Sequence, residues 1–222
     1  MGSLIGDSED VISRKQLAAA SLTSMNKIWI RKSKISVNKM IQLYNSLVKP
    51  VLTYNSGTWG LTQAEKDSID AFHRQQIRKV YKNSRLKNQT VYDIIKSGHL
   101  SVDIAEARMR LLGHTLRMKT NTPAQKAMQF YFENNQNRKQ FRGRPRTTIA
   151  TVLNKEIKDA APHQRQLCRD MPKSFESLAD LNKIRQLAAD KSAWKEFSVK
   201  IVEVAQVKDP NPARTTVRDA SA

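Results

Sequence analysis

Residues 62–81 read TQAEKDSIDAFHRQQIRKVY and carry the strongest local structural signal in the chain. Thr62 followed three residues later by Glu65 has the T-x-x-E form of a capping box, in which the two side chains accept hydrogen bonds from backbone N–H groups at a helix start. Apolar residues then recur at helical spacing, at Ile69, Phe72, Ile77 and Val80. The stretch therefore predicts an amphipathic helix with a defined first residue.

Helical spacing of apolar residues continues through nearly all of the chain. Seven glycines and seven prolines in 222 residues leave few sites for the tight turns of β-hairpins. Further helices are expected behind a Ser8 or Asp10 cap as far as Trp29, and after Ser36, where Pro50 should kink or restart the helix. Others are expected after a Thr90 cap, from Ser101 to about Lys119, from Ala124 to Phe132, from Thr148 to about Ala160, and between Phe175 and Ala205. The sequence predicts an all-α fold.

The composition is strongly basic. Lysine and arginine number 39 against 20 acidic residues, a formal net charge of +19. Such a field attracts polyanions, so nucleic acid is the first expected partner and an anionic membrane surface the second. No stretch approaches the roughly 20 apolar residues of a spanning helix, and the start of the sequence lacks the pattern of a signal peptide. We expect RNA or DNA as the partner and no membrane.

Residue types that support catalysis or metal binding are scattered. No group of acidic residues has the clustering that two-metal phosphoryl transfer requires, and no glycine-rich phosphate loop occurs. The four histidines show no ligand spacing, and the single cysteine, Cys168, excludes a disulfide or a cysteine-based zinc site within the chain. We expect no cofactor, no metal and a reducing compartment, the nucleus or the cytoplasm.

The basic residues concentrate in the middle of the chain. From His73 to Arg146, 17 lysines and arginines stand against four acidic residues, which gives +13 of the total +19. On the helix after Ser101, Arg108, Arg110 and Arg117 are expected to face solvent. His114 lies three residues before Arg117, so the two share a helix face.

Residues 141–146, FRGRPR, place arginines at every second position around a glycine and a proline. Proline fixes its own φ and biases the preceding residue toward an extended conformation, while glycine allows close backbone approach. The motif predicts a short, extended cationic strip. It is consistent with a solvated loop, with a minor-groove finger like the AT-hook, or with one arm of a larger nucleic-acid-binding surface.

Six segments together resemble the C-terminal part of LINE-type (non-LTR) retrotransposon reverse transcriptases, the region that follows the polymerase palm. In family order they are MGSLIGDSEDVISRKQLAAASLTSMNKIW, KMIQLYNSLVKPVLTYNSGTWGLT, IDAFHRQQIRKVY, EARMRLLGHTLRM, GRPRTT and LAADKSAWKEF. The resemblance spans roughly residues 1 to 200 and rests on the order of the segments.

The resemblance implies a helical, thumb-like bundle over residues 1–82, which grips a template and primer duplex. A basic helical region with the GRPR loop follows over 83–208, and we expect a disordered tail over 209–222. Nucleic-acid contacts are expected at two groups of residues: Arg108, Arg110, His114 and Arg117 on the helix, and Arg142, Gly143, Arg144, Pro145 and Arg146 in the strip.

The resemblance also bears on activity. The segments match none of the fingers or palm with its paired catalytic aspartates, so we expect no enzymatic activity from this chain on its own, and the palm and fingers of the parent polymerase are a further expected partner. The favoured hypothesis is a nucleic-acid-binding fragment of such a reverse transcriptase. The alternative is a stand-alone DNA-binding protein that uses FRGRPR as an AT-hook.

Overall fold

The chain folds into helices. The computed structural model describes residues 2–4, 6–26, 35–95, 98–135, 147–161 and 173–207, and no strand occurs among them. This confirms the all-α prediction. The FRGRPR strip, Trp29, Cys168 and the expected disordered tail lie outside the described residues.

Ten α-helices follow one another along the described residues. In chain order they are α1 Asp7–Ser24, α2 Val37–Leu47, α3 Lys49–Leu52, α4 Gln63–Tyr81, α5 Asn88–Ile95, α6 Leu100–Leu116, α7 Pro123–Asn135, α8 Ile149–Ala160, α9 Leu178–Ala189 and α10 Lys191–Val207, with a 3₁₀ turn at Ser56–Thr58. None of them has an apolar stretch long enough to cross a bilayer.

Several helices begin where the sequence predicts. Thr62 and Glu65 form the expected capping box at α4, with the Thr62 N–H donating to Glu65 Oε2 at 2.8 Å. Ser36 caps α2 and Thr148 caps α8, each through its side-chain oxygen. Pro50 lies in the first turn of α3, where its missing N–H costs nothing, so it restarts the helix as predicted.

The predicted caps of α1 and α5 are wrong. Gly6 precedes α1 and offers no side-chain cap, while Asp10 is buried and accepts a hydrogen bond from the Leu4 N–H at 3.1 Å. Asp10 also pairs with Arg14, 3.4 Å away. Thr90 lies inside α5, which begins at Asn88. At these two places, a residue type that often caps helices correctly indicated that a helix is near, but it did not identify the residue at which the helix begins.

The chain divides into two compact units. Unit 1 comprises Met1–Ser56 and Leu61–Ile104, and unit 2 comprises Gly57–Gly60 and Ala105–Pro210. The predicted domain division between residues 82 and 83 falls inside unit 1. The four residues Gly57–Gly60 belong to unit 2 although their chain neighbours belong to unit 1, an arrangement that sequence order does not indicate.

Unit 1 is built around α4. This helix contacts α1, α2 and α5, and α1 also packs along α3. The centre is closed by fully buried side chains from α2 and α4, which include Met40, Tyr44, Ile69 and Ile77. The apolar face that the sequence predicted for residues 69–80 is therefore the core of this unit.

Unit 2 has its own apolar core. Its buried residues come from α6, α7, α8, α9 and α10, and they include Met109, Leu112, Leu116, Phe132, Leu153, Ile157, Leu181, Ile184, Trp194 and Phe197. The helix α8 packs against α10, and α9 packs against α7 and α10. The core covers one face of α6 and leaves the other face exposed.

Candidate nucleic-acid interface

Three of the predicted contact residues share one exposed face: Arg110 and His114 lie on α6, and Arg117 directly follows its last residue, where the Arg117 N–H still donates to the Gly113 carbonyl at 3.3 Å. Arg110, His114 and Arg117 are spaced by four and three residues, which brings them onto one side of an α-helix. All three are exposed, whereas Leu112 and Leu116 between them are buried in the core of unit 2. We call Arg110, His114 and Arg117 the α6 row. It presents two permanent cations and an imidazole to solvent over two turns of helix.

Arg110 keeps its guanidinium accessible despite an ion pair. Its Nη2 lies 2.8 Å from Glu106 Oε1 one turn earlier on the helix, and the two side chains are 76% and 58% exposed. Exposed pairs of this kind contribute little to stability because water screens them. A polyanion therefore competes for Arg110 at small cost.

Arg117 fixes the far end of the row. Its Nη1 donates to the backbone carbonyl of Ala188 at 3.1 Å, in the last turn of α9. A cation in this position satisfies a carbonyl that has no partner within the helix, and it interacts favourably with the helix dipole. The side chain remains exposed. Arg117 thus joins α6 to α9 and still faces solvent.

Gly113, in the last turn of α6, allows the side chain of Trp194 to pack against the helix backbone. A Cβ atom on this residue would lie 2.2 Å from Nε1 of the Trp194 indole, far inside van der Waals contact. Trp194 belongs to the segment LAADKSAWKEF and Gly113 to EARMRLLGHTLRM, so two segments of the resemblance meet here. Gly113 therefore lies on the buried side of α6, where the indole packs against its backbone, and His114 next to it lies on the exposed side.

Arg108 corrects the sequence prediction. It was expected to face solvent, but it is 1% exposed, and its guanidinium donates to the Glu156 carboxylate and to the backbone carbonyl of Trp59. A buried charge requires such partners, because desolvation without them is very unfavourable. Arg108 therefore connects α6 with α8 and with Gly57–Gly60, and it does not belong to the exposed row.

The sequence contained a signal for this buried pair. Arg108 lies four residues after Ile104 and four before Leu112, which places it within the apolar stripe of α6. Glu156 likewise lies four residues after Val152 and four before Ala160 on α8. Opposite charges that each interrupt an apolar stripe indicate a buried ion pair, and only the structure shows that these two charges meet.

The residues that follow the predicted strip in the sequence pack closely against Gly60. Its residues Arg142, Gly143, Arg144, Pro145 and Arg146 lie outside the described residues. The chain is described again at Thr147, and Thr148 caps α8. A Cβ on Gly60 would lie 2.7 Å from the Thr148 carbonyl carbon, so only glycine admits the backbone here. In the sequence, the strip is therefore followed, one residue later, by Thr148, whose backbone packs against Gly60 in unit 2.

Buried polar residues on α4 form a structural network. The Asp70 carboxylate accepts hydrogen bonds from the Ser101 N–H at 3.0 Å and from the Ser101 hydroxyl at 2.6 Å, and His99 Nδ1 lies 3.4 Å away. Burial works to raise the pKa of Asp70, but the hydrogen bonds from His99 and Ser101 outweigh it and hold the pKa below its usual range. Asp70 therefore caps α6 from a different helix.

A second buried histidine lies beside this network. His73 Nδ1 is 2.8 Å from the Tyr44 hydroxyl, and both side chains are almost wholly buried. Burial, together with the nearby Lys49 charge, lowers the pKa of His73 to about 4, so the ring is neutral at physiological pH. Among the residues that the structure describes, no group of three or more His, Cys, Asp or Glu is arranged to hold a metal ion.

Comparison of the chain with protein-family models, with curated proteins and with solved structures finds no match. The functional interpretation therefore rests on the residues of this chain and on the order of its motifs.

Proposed function

We propose that the chain is a nucleic-acid-binding portion of a LINE-type reverse transcriptase, and that it binds template, primer or target nucleic acid without catalysing a reaction on its own. The observation that carries the proposal is the α6 row, Arg110, His114 and Arg117, exposed along one face of a helix whose other face is buried. The net charge of +19 supplies a long-range attraction for the same ligand.

The α6 row suits contacts to the nucleic-acid backbone. Arg110 and Arg117 offer planar guanidinium groups, which bind phosphate oxygens through paired N–H donors. Such contacts position a strand without reading its sequence, and they release counterions when they form. The FRGRPR strip precedes Thr147 and the Thr148 cap of α8 in the sequence, and it is proposed as a further arm of this surface.

Salt dependence of binding tests the proposal. Anisotropy titrations of fluorescent RNA, duplex DNA and an RNA–DNA hybrid between 50 and 200 mM salt, a range chosen around physiological ionic strength, would show affinity that falls steeply with salt. Replacing both row arginines, Arg110→Gln with Arg117→Gln, removes two phosphate contacts and lowers the slope of log K against log salt by about 2 for duplex DNA.

A matched variant provides the control. Lys155→Gln with Lys195→Gln removes the same charge from exposed positions on α8 and α10, outside the row. If both double variants change the slope equally, or if the unmodified chain binds with no salt dependence, the proposal is wrong. If binding depends on the strip and prefers A·T duplexes over RNA, the chain acts as an AT-hook protein instead.

A further inference from the structure

We propose a second phosphate-binding site in unit 1, a basic groove at the C-terminal end of α4 that holds the backbone phosphates of a nucleic-acid strand. The groove is open to solvent, has a volume of about 540 Å³ and is lined by Gln75, Arg78, Lys79, Lys82, Asn83 and Ser84. The inference rests on the proposed function for its ligand class. It names the residues of unit 1 that contact the strand, which the resemblance leaves open, and this site is separate from the α6 row.

Charge in this region is one-sided. Between Asp70 and Asp93 the sequence contains no acidic residue, while residues 78–87, RKVYKNSRLK, contain five lysines and arginines. Cations in the last turn of a helix are stabilised by its dipole, which accounts for Arg78 and Lys79. Lys82 is the C-cap residue and also lies at this end of the dipole, whereas Arg85 and Lys87 lie beyond the helix and are exposed, so the dipole does not explain these two.

Arg78 holds the wall of the groove in place. Its Nε donates to the Leu86 carbonyl at 3.0 Å, and its Nη2 donates to Asn88 Oδ1 at 2.6 Å. Both bonds reach from the last turn of α4 to the chain beyond the turn. Arg78 is therefore a positioning residue, whereas exposed Lys79, one residue further, is available for ligand contact.

The turn itself is also fixed by hydrogen bonds. Lys82 adopts a left-handed conformation with φ of 54°, and its N–H donates to the carbonyls of Arg78 and Lys79. Asn83 Oδ1 accepts a hydrogen bond from the Arg85 N–H at 3.0 Å. Non-glycine residues rarely adopt positive φ, and here the cap bonds hold it. A turn already ordered loses little entropy when a ligand binds.

The lining chemistry points to phosphate rather than to bases. The six lining residues are cationic, amide or hydroxyl-bearing, and none of them is aromatic or apolar. Base stacking uses aromatic rings, whereas phosphate oxygens accept from lysine, arginine, asparagine and serine donors. The groove is therefore expected to add affinity that is independent of nucleotide sequence.

A triple variant of the full chain tests the site. Lys79→Gln and Lys82→Gln remove the two lysines that line the groove, and Arg85→Gln removes the exposed cation that follows the lining residue Ser84. The variant should lower the slope of log K against log salt by about 3 for duplex DNA, equally for A·T-rich and G·C-rich duplexes. The control Lys155→Gln, Lys183→Gln and Lys195→Gln removes the same charge from exposed positions of unit 2. Helix content and melting temperature confirm that each variant folds.

The outcomes separate this inference from the proposed function. If the α6-row variant weakens binding and the groove variant behaves like its control, the groove proposal alone is wrong. If the groove variant weakens binding and the α6-row variant does not, the groove stands and the α6 row does not bind. Acetylation of lysines with and without bound duplex provides an independent readout, because Lys79 and Lys82 should be protected and Lys155 should not. Equal protection of all three, or of none, would overturn the groove site.

Discussion

A Cβ atom on residue 113 would lie 2.2 Å from Nε1 of Trp194, and the indole fills the space that only glycine leaves open. Trp194 is 5% exposed and belongs to the apolar core of unit 2. The outward direction of His114 follows from this contact, because the inward position next to it is occupied. Packing between α6 and α10 therefore orients the proposed contact row.

Gly113→Ala is expected to destabilise the protein by about 1–3 kcal/mol, because the added methyl group forces the indole out of its position. An alanine in an ordinary helix interior would instead stabilise by up to about 1 kcal/mol. Urea unfolding measures the sign directly. Combining Gly113→Ala with Trp194→Leu should cost less than the sum of the two single changes, because the smaller leucine leaves room for the methyl group.

Arg108→Met is expected to destabilise unit 2 by about 3–5 kcal/mol, because it leaves the Glu156 carboxylate buried without its cation. The double variant Arg108→Met with Glu156→Met should recover most of that loss, since no charge remains buried. Urea unfolding of the single and double variants tests this. Arg110→Met serves as the control, because its ion pair is largely exposed and its loss should hardly change stability. A single variant as stable as the control would contradict the assignment.

Stability is expected to fall as the pH drops from about 6.5 toward 4. Burial lowers the pKa of His73 to about 4, so in this window the unfolded chain takes up a proton that the folded chain does not. A shift of this size amounts to about 3 kcal/mol at most. Unfolding free energies of the unmodified protein and of His73→Gln at several pH values test it. His73→Gln should remove the pH dependence that this histidine contributes. His114→Gln, a change at an exposed position, should leave that pH dependence in place.

Ser101→Ala is expected to cost about 1.5–3 kcal/mol, because it removes a hydrogen bond to the buried Asp70 carboxylate. The same change should raise the pKa of Asp70, since the hydroxyl is one of the donors that hold it low. The stabilisation from Asp70 is present above the carboxyl's unfolded pKa and is lost as the pH falls through the folded value. Acid unfolding of the variant should therefore begin at higher pH, and a carboxyl titration by NMR checks the assignment. An unchanged titration would contradict this role for Ser101.

The groove of unit 1 has a signal in the sequence, its uninterrupted basic charge. The 22 residues between Asp70 and Asp93 contain no acidic residue, and five basic residues lie among them within RKVYKNSRLK. The charge of this stretch alone does not distinguish a phosphate-binding groove from a solvated turn. The bonds from Arg78 to Leu86 and Asn88 distinguish the two, and they depend on the folded chain.

The sequence by itself determined the helices and several of their starts. The capping residues Thr62, Ser36 and Thr148 and the restart at Pro50 act through groups no more than a few residues away, so local order is sufficient to define them. The helical spacing of the apolar residues likewise determined which class of fold the chain adopts.

Only the tertiary structure decided which cations are available to a ligand. Arg108 and Arg110 stand two residues apart on the same helix, yet one is buried against Glu156 and the other faces solvent. Asp70 caps a helix other than its own. Whether a charge is buried depends on a partner 48 residues away in the case of Arg108 and 31 in that of Asp70, and local sequence does not specify which distant groups meet.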